Sequence, residues 1–217
     1  MATICGIDEA GRGPVIGPLV ITGVLIDEED EKKLRSIGVK DSKKLSALQR
    51  ERMFDKITEA AKEIKTIITL PKEIDEAVES EHMNLNWLEA EHMITILNGL
   101  KPDKAFIDCP SNNIIAFQNY LKIKLNKKIE LHLAHKADEL YPVVSAASII
   151  AKVTRDSEIV KIKEKIGEEF GSGYPSDPST KRFIEKNYER YPDIFRKSWE
   201  TYKALARGKK QKKLGEY

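Results

Sequence analysis

The stretch TICGIDEAGRGPVIGPLVITGVLI, residues 3 to 26, constrains the fold more than any other part of the chain. Two apolar runs, Thr3 to Asp8 and Leu19 to Ile26, flank a turn that carries Gly11, Gly13, Pro14, Gly17 and Pro18. That order predicts two antiparallel strands at the start of a sheet. The first run ends in two carboxylates, Asp8 and Glu9. Ionised carboxylates are costly to bury without compensation, so this pair needs a partner, and a cation would serve. Strand neighbours point to opposite faces, so Asp8 and Glu9 can share a site only where the strand ends or distorts between them. The glycine turn that follows supplies such a point.

The rest of the chain alternates helical and extended patterns. A short helix is expected from Glu28 to Ile37, and Ser46-Ala47-Leu48-Gln49 reads as a capping box opening a helix to about Glu63. Lys65 to Leu70 predicts a third strand, stopped by Pro71, with helices after Pro71 and from Asn84 to Gly99. Lys104 to Asp108 predicts strand four, Asn112 to Leu121 a helix, and Glu130 to His135 strand five. Pro142 suits the first position of a long helix reaching about Glu168. After the loop GSGYPSDPS come a helix from Thr180 to Tyr188, a break at Pro192 and a helix from Ser198 into the tail. Helices alternating with strands favour parallel pairing, so the fold class is α/β: a five-stranded mixed sheet flanked by helices.

Composition narrows the functional classes only slightly. With 37 Lys+Arg against 35 Asp+Glu, the formal charge of +2 selects no partner by itself. No apolar run is long enough to cross a bilayer, and Met1 to Ile4 lead directly into the first strand without a cleavable leader pattern. The expectation is a cytoplasmic protein without a membrane partner, and a monomer by default. Cys5 and Cys109 are too few for a disulfide framework, and no CxxC or HxxxH spacing exists, so buried thiols are expected.

Acids recur at corresponding places: Asp8 ends strand one, Asp108 ends strand four, and Asp138 lies between strand five and the Pro142 helix. Ligands gather at the carboxyl ends of strands in open α/β sheets. Taken singly, Asp108 also suits a turn and Asp138 a helix start. Together with Glu9 they make four carboxylates, which repel one another unless divalent cations intervene. Hard oxygen ligands suit Mg²⁺ or Mn²⁺.

The segments GIDEAGRGPVIGPLV, DSKKLS, FIDC, HKAD, PVVSAASIIAKVTRD and GSGYPSDP occur in that order, and together they resemble ribonuclease HII, the type 2 ribonuclease H, in its archaeal form. The resemblance spans residues 4 to about 200. It implies a ribonuclease H-like fold and hydrolysis of RNA in RNA/DNA hybrids, including cutting 5′ of single ribonucleotides embedded in DNA. Asp8, Glu9, Asp108 and Asp138 match the family's metal-binding and catalytic acids. Gly11, Arg12 and Gly13 match its turn that contacts the ribose 2′-hydroxyl through the backbone, and Tyr174 matches the tyrosine that stacks on the following deoxyribose. The implied mechanism uses two ions about 4 Å apart and leaves 5′-phosphate and 3′-hydroxyl ends.

On this reading residues 1–170 form the catalytic domain, 171–206 a small C-terminal helical extension packed near the active site, and 207–217 a basic tail. Lys43, Lys44, His135, Lys136, Lys152 and Arg155 are candidates for contacts to the substrate backbone. The tail, RGKKQKKLGEY, places Gln211, Leu214 and Tyr217 at the spacing of a sliding-clamp-binding peptide, without that peptide's second aromatic. Two readings from other classes compete: a noncatalytic nucleic-acid-binding module, and a metal-dependent phosphatase whose glycine turn cradles phosphate. Intact acids at all four matched positions oppose the first, and the basic residues oppose the second. The type 3 enzymes of the same fold carry an additional N-terminal domain, whereas here strand one begins at once.

Overall fold

The computed structural model describes residues 1–39 and 46–214. They divide into two compact units: Met1–Ala10, Val20–Ile68 and Asn86–Arg155 form the first, and Gly11–Leu19, Thr69–Leu85 and Asp156–Tyr217 the second.

The first unit holds a five-stranded sheet in the order β3-β2-β1-β4-β5. Its strands are β1 (Thr3–Ala10), β2 (Leu19–Asp27), β3 (Glu63–Thr69), β4 (Lys104–Asp108) and β5 (Glu130–Ala134). β1 pairs antiparallel with β2 and parallel with β4, and β4 pairs parallel with β5, which is the mixed sheet the sequence predicts. β1 runs two residues beyond the expected end at Asp8, because Glu9 and Ala10 stay in register opposite Ile21 and Val20.

Helices α1 (Glu31–Ile37), α2 (Ala47–Ala60), α4 (Leu85–Leu100), α5 (Ile114–Lys124) and α6 (Ala137–Leu140) surround the sheet, with the long α7 (Pro142–Ile166) belonging to this unit as far as Arg155. A 3₁₀ turn at Glu28–Asp30 precedes α1, which ends at Gly38 with φ of 86°. The capping box at Ser46 forms: its hydroxyl accepts from the Gln49 N–H while the Gln49 side chain accepts from the Ser46 N–H. The single turn α6 stands where the sequence predicts only a turn. It is too short for any periodicity in sequence.

Two glycines set how closely helices approach the sheet. A Cβ on Gly6 would lie 2.2 Å from the backbone of Val143 in the first turn of α7, and one on Gly23 would lie 2.4 Å from Ile96 of α4. Gly6 faces Val24 across the β1–β2 ladder while Gly23 faces Ile7, so the two glycines stand on opposite faces of the sheet. α7 therefore covers one face and α4 the other. The α7 face buries Ile4, Val24, Ile26, Leu34, Ile57, Val143, Val144, Ala147 and Ile150 in one apolar cluster.

The second unit contains α3 (Pro71–Glu79), α8 (Pro178–Asn187), α9 (Glu200–Leu214) and the remainder of α7. Its core is aromatic: Phe170, Phe183 and Phe195 are buried with Val15, Ile16, Ile159 and Ile184.

Gly6→Ala forces a methyl against backbone that cannot rotate away, and should destabilise the protein by about 3 kcal/mol. A Cβ on Gly208 in α9 would meet no atom within 4 Å. Gly208→Ala should instead gain about 0.5 kcal/mol from helix propensity. Denaturant unfolding of both variants checks the contrast.

Candidate active site

Asp8 is 4% exposed and lies on the α7 face of β1, two residues beyond Gly6. Its carboxylate accepts a hydrogen bond from the Ser148 hydroxyl of α7. Its Oδ1 also accepts the Glu9 N–H at 2.7 Å. Lys152, one turn further along α7, donates to Ser148 Oγ at 2.7 Å. Burial pushes the Asp8 pKa up to about 7; the negative charge of Asp108 adds to the shift, while Ser148, the Glu9 N–H and Lys152 oppose it.

Asp108 is the last residue of β4, whose register with β1 runs through Ile7 opposite Ile107. One further step brings Asp108 beside Asp8 on the same face, at the interstrand spacing of about 4.8 Å. Asp108 Oδ1 accepts the Ala137 N–H at 3.2 Å, which ties the start of α6 to the end of β4. Asp138, the next residue in α6, is 4% exposed. Three of the four expected acids thus stand where the parallel strands end.

Glu9 departs from the expectation. Because β1 pairs regularly through Ala10, alternation gives Glu9 the α4 face, opposite to Asp8. There its charge, with those of Asp108 and Glu89, adds to burial in raising the Cys109 thiol pKa. Glu89 of α4 is fully buried. The sequence did not single it out, because it falls inside an otherwise ordinary amphipathic helix. Among the described residues no three His, Cys, Asp or Glu side chains gather closely enough to make a ready-made metal cluster.

Both cysteines are free and buried, as expected, and Cys109 Sγ donates to the Ser111 carbonyl. His135 is exposed just after β5, with Nδ1 3.1 Å from the Cys109 carbonyl oxygen. Lys136 beside it is exposed and takes a left-handed conformation at the start of α6, with φ of 56°. Arg155, a candidate for contact to the substrate backbone, is only 5% exposed. It lies on the inward side of α7, a placement that periodicity over an alanine-rich helix does not reveal. Lys43, Lys44 and Tyr217 lie outside the described residues, and Gln211 and Leu214 fall within α9.

The second unit holds the glycine turn. Gly11 adopts φ of 86°, which favours glycine at that position. Arg196, fully buried, donates from Nη2 to the Gly11 carbonyl at 2.6 Å, from Nη1 to Arg12 at 3.0 Å and from Nε to Gly17 at 3.1 Å. Trp199 Nε1 donates to the Gly13 carbonyl at 3.2 Å. Tyr174 is 39% exposed, and its ring lies 3.7 Å from where a Cβ on Gly13 would stand. The loop that carries it is anchored by the Gly173 carbonyl, which accepts the Val15 N–H at 2.9 Å. Asp177 holds the same loop by accepting from the Ser172 backbone and hydroxyl, and these bonds lower its pKa to about 2. Arg196 and Trp199 were not anticipated from sequence; the one available signal was an arginine inside the aromatic segment Ile194 to Trp199.

Comparison with known proteins gives a consistent result. The family model for ribonuclease HII matches residues 5–202. The ribonuclease HII of Pyrococcus horikoshii is 48% identical over 207 residues, covering 93% of this chain and 92% of that protein. The crystal structure of ribonuclease H2 from Pyrococcus horikoshii OT3 superposes with a TM-score of 0.87 at 47% identity, covering 95% of this chain and 98% of that one. Ribonuclease HII from Archaeoglobus fulgidus, solved in complex with PCNA, superposes with a TM-score of 0.84 at 40% identity, covering 91% and 95% respectively. With the mixed sheet and the acids at its strand ends, these matches establish that the chain belongs to the ribonuclease HII family, endonucleases of the ribonuclease H class.

Proposed function

We propose that this ribonuclease HII, besides acting on RNA/DNA hybrids, cuts 5′ of single ribonucleotides embedded in duplex DNA and leaves 5′-phosphate and 3′-hydroxyl ends. The observation that carries the reading is the adjacency of buried Asp8 and half-buried Asp108 on parallel strands. One carboxylate there is held apart from water and the other stands close beside it, which favours a cation of matching charge.

The donor set fits a hard divalent ion. It consists of carboxylate oxygens, and the nearby thiol of Cys109 has its pKa raised by burial and so stays protonated. Asp8, Asp108 and Asp138 would hold the ions; Glu9, which the family resemblance adds to the set, would have to reach them from the other face at the end of β1. Two Mg²⁺ or Mn²⁺ ions, when bound, would supply activation of the attacking water and neutralisation of the leaving 3′ oxygen. Ser148 and Lys152 orient the Asp8 carboxylate from α7. The Gly11–Gly13 turn contacts the ribose 2′-hydroxyl and Tyr174 offers its face to the neighbouring sugar. The 2′-hydroxyl is the group that distinguishes RNA from DNA at a given site. Exposed His135 and Lys136 serve the phosphate backbone, which positions a duplex without reading its sequence.

The basic end of α9 carries a second proposal. Gln211, Leu214 and Tyr217 have the glutamine, aliphatic, aromatic spacing of a sliding-clamp-binding peptide, and the Archaeoglobus fulgidus relative was solved with PCNA. We propose that this segment docks on the replication sliding clamp.

Three measurements test these statements. A labelled duplex with one ribonucleotide should be cut on its 5′ side with Mg²⁺ or Mn²⁺, while chelator or an all-DNA duplex gives no product; Asp8→Asn should lower kcat to background and keep substrate binding. Deleting residues 211–217 should abolish clamp association and leave intrinsic cleavage unchanged. The third concerns pH. The Asp8 pKa rises from 3.8 to about 7 on folding, so its contribution is fully favourable below 3.8 and is lost as pH climbs through 7. In chelator, thermal unfolding should therefore show Asp8→Asn gaining stability over the wild type between pH 4 and pH 8, with the gain levelling off above that.

A further inference from the structure

We infer that Arg196, assisted by Trp199, is a positioning residue that sets ribose selectivity by holding the Gly11–Gly13 turn in one orientation. This rests on the reading of that turn as the contact to the ribose 2′-oxygen.

The carbonyls of Gly11 and Arg12 accept from the Arg196 guanidinium, and that of Gly13 accepts from Trp199 Nε1. Three consecutive carbonyls are thus turned toward one pair of side chains, whose guanidinium and indole lie 4.8 Å apart. The chain has no cis peptide bond among the described residues. In a trans peptide the carbonyl and the following N–H point in opposite directions. The Arg12 and Gly13 N–H groups therefore point away from the guanidinium, and Gly13 itself is exposed. Pro14 has no N–H, so the series stops there.

Two successive donors aimed the same way suit an acceptor oxygen. A ribose 2′-oxygen meets that description, and a deoxyribose has nothing at that position. The guanidinium also strengthens these donors, because charge-assisted bonds to the carbonyls polarise the same peptide units. A lysine would not replace it: the fork reaches three carbonyls with three nitrogens, whereas an ammonium is a single point.

The segment carrying Arg196 is itself fixed. Its N–H donates to the Val15 carbonyl at 2.9 Å, and Phe195 forms a β-bridge with Ile16. Asp75 accepts the Lys197 N–H at 2.8 Å and the Ser198 N–H at 2.9 Å. Burying a guanidinium carries a desolvation cost that an apolar side chain of the same length would avoid. A charge placed there is explained by the orientation it imposes on the peptides.

The test compares full-length wild type, Arg196→Lys and Trp199→Phe. For each, kcat/KM is measured on a duplex with one ribonucleotide, together with Ki for the all-DNA duplex as competitor and Tm. Phe183→Leu, which thins the aromatic core of the same unit, controls for loss of stability. Both test variants should lose about tenfold in kcat/KM, the worth of one or two well-placed hydrogen bonds, while Ki stays at the wild-type value. Phe183→Leu should lower Tm and keep kcat/KM. If Arg196→Lys does not fold, Trp199→Phe carries the comparison alone, because it keeps an aromatic ring and removes a single donor. Unchanged kcat/KM in the folded variants would reduce Arg196 to a structural role and overturn the inference. A wild type that cuts at a 2′-deoxy substitution as fast as at the ribonucleotide would overturn the reading of the turn itself, and this inference with it.

Discussion

The close approach of β1 to α7 is the contact on which the first unit depends. Gly6 brings the strand backbone against Val143 because it has no Cβ to keep the helix away. From that point strand and helix run on together. Two residues along β1 advance about 6.6 Å, and four to five residues along α7 advance about 6 to 7.5 Å. That match carries Asp8 to Ser148, and the hydrogen bond between them is its result. The alanines at 146, 147 and 151 keep the helix slim enough to sustain the approach.

Once Asp8 is placed, its electrostatics follow. It is buried, it has Asp108 beside it on the next strand, and it keeps only modest compensation from Ser148 and Lys152. A folded chain that carries such a pair has given up solvation that a packed apolar residue would not have needed. Proteins concentrate such costs at functional sites, and a divalent cation is the ligand that would relieve this one. Parallel pairing is essential to the arrangement, because it brings the carboxyl ends of β1, β4 and β5 to the same edge of the sheet.

The second unit solves a different problem. Its turn from Gly11 to Gly17 has no helical or strand ladder to satisfy its carbonyls, and buried carbonyls need donors. Arg196 and Trp199 supply them from a segment far along the chain, which Asp75 ties down by accepting the Lys197 and Ser198 N–H groups. Tyr174 is placed by a similar device, its loop being pinned through Gly173 to the backbone of Val15. In this unit irregular backbone is held by side chains, and so its conformation depends on a few residues.

Local chemistry wrote much of this protein into its sequence. The strand Lys104–Asp108 appears with the boundaries expected, and the capping box at Ser46 forms, because short-range patterns and nearby hydrogen bonds decide both. The acids at the strand ends were legible for the same reason, since a carboxylate closing an apolar run is visible without coordinates. The face on which Glu9 stands was not legible, because it depended on whether β2 stayed paired as far as Val20. Burial of Arg155 and the grip of Arg196 on carbonyls more than 180 residues away were equally hidden. Periodicity reports which residues share a face of their own element; what that face meets is decided only when distant segments pack, and there the sequence separation carries no information.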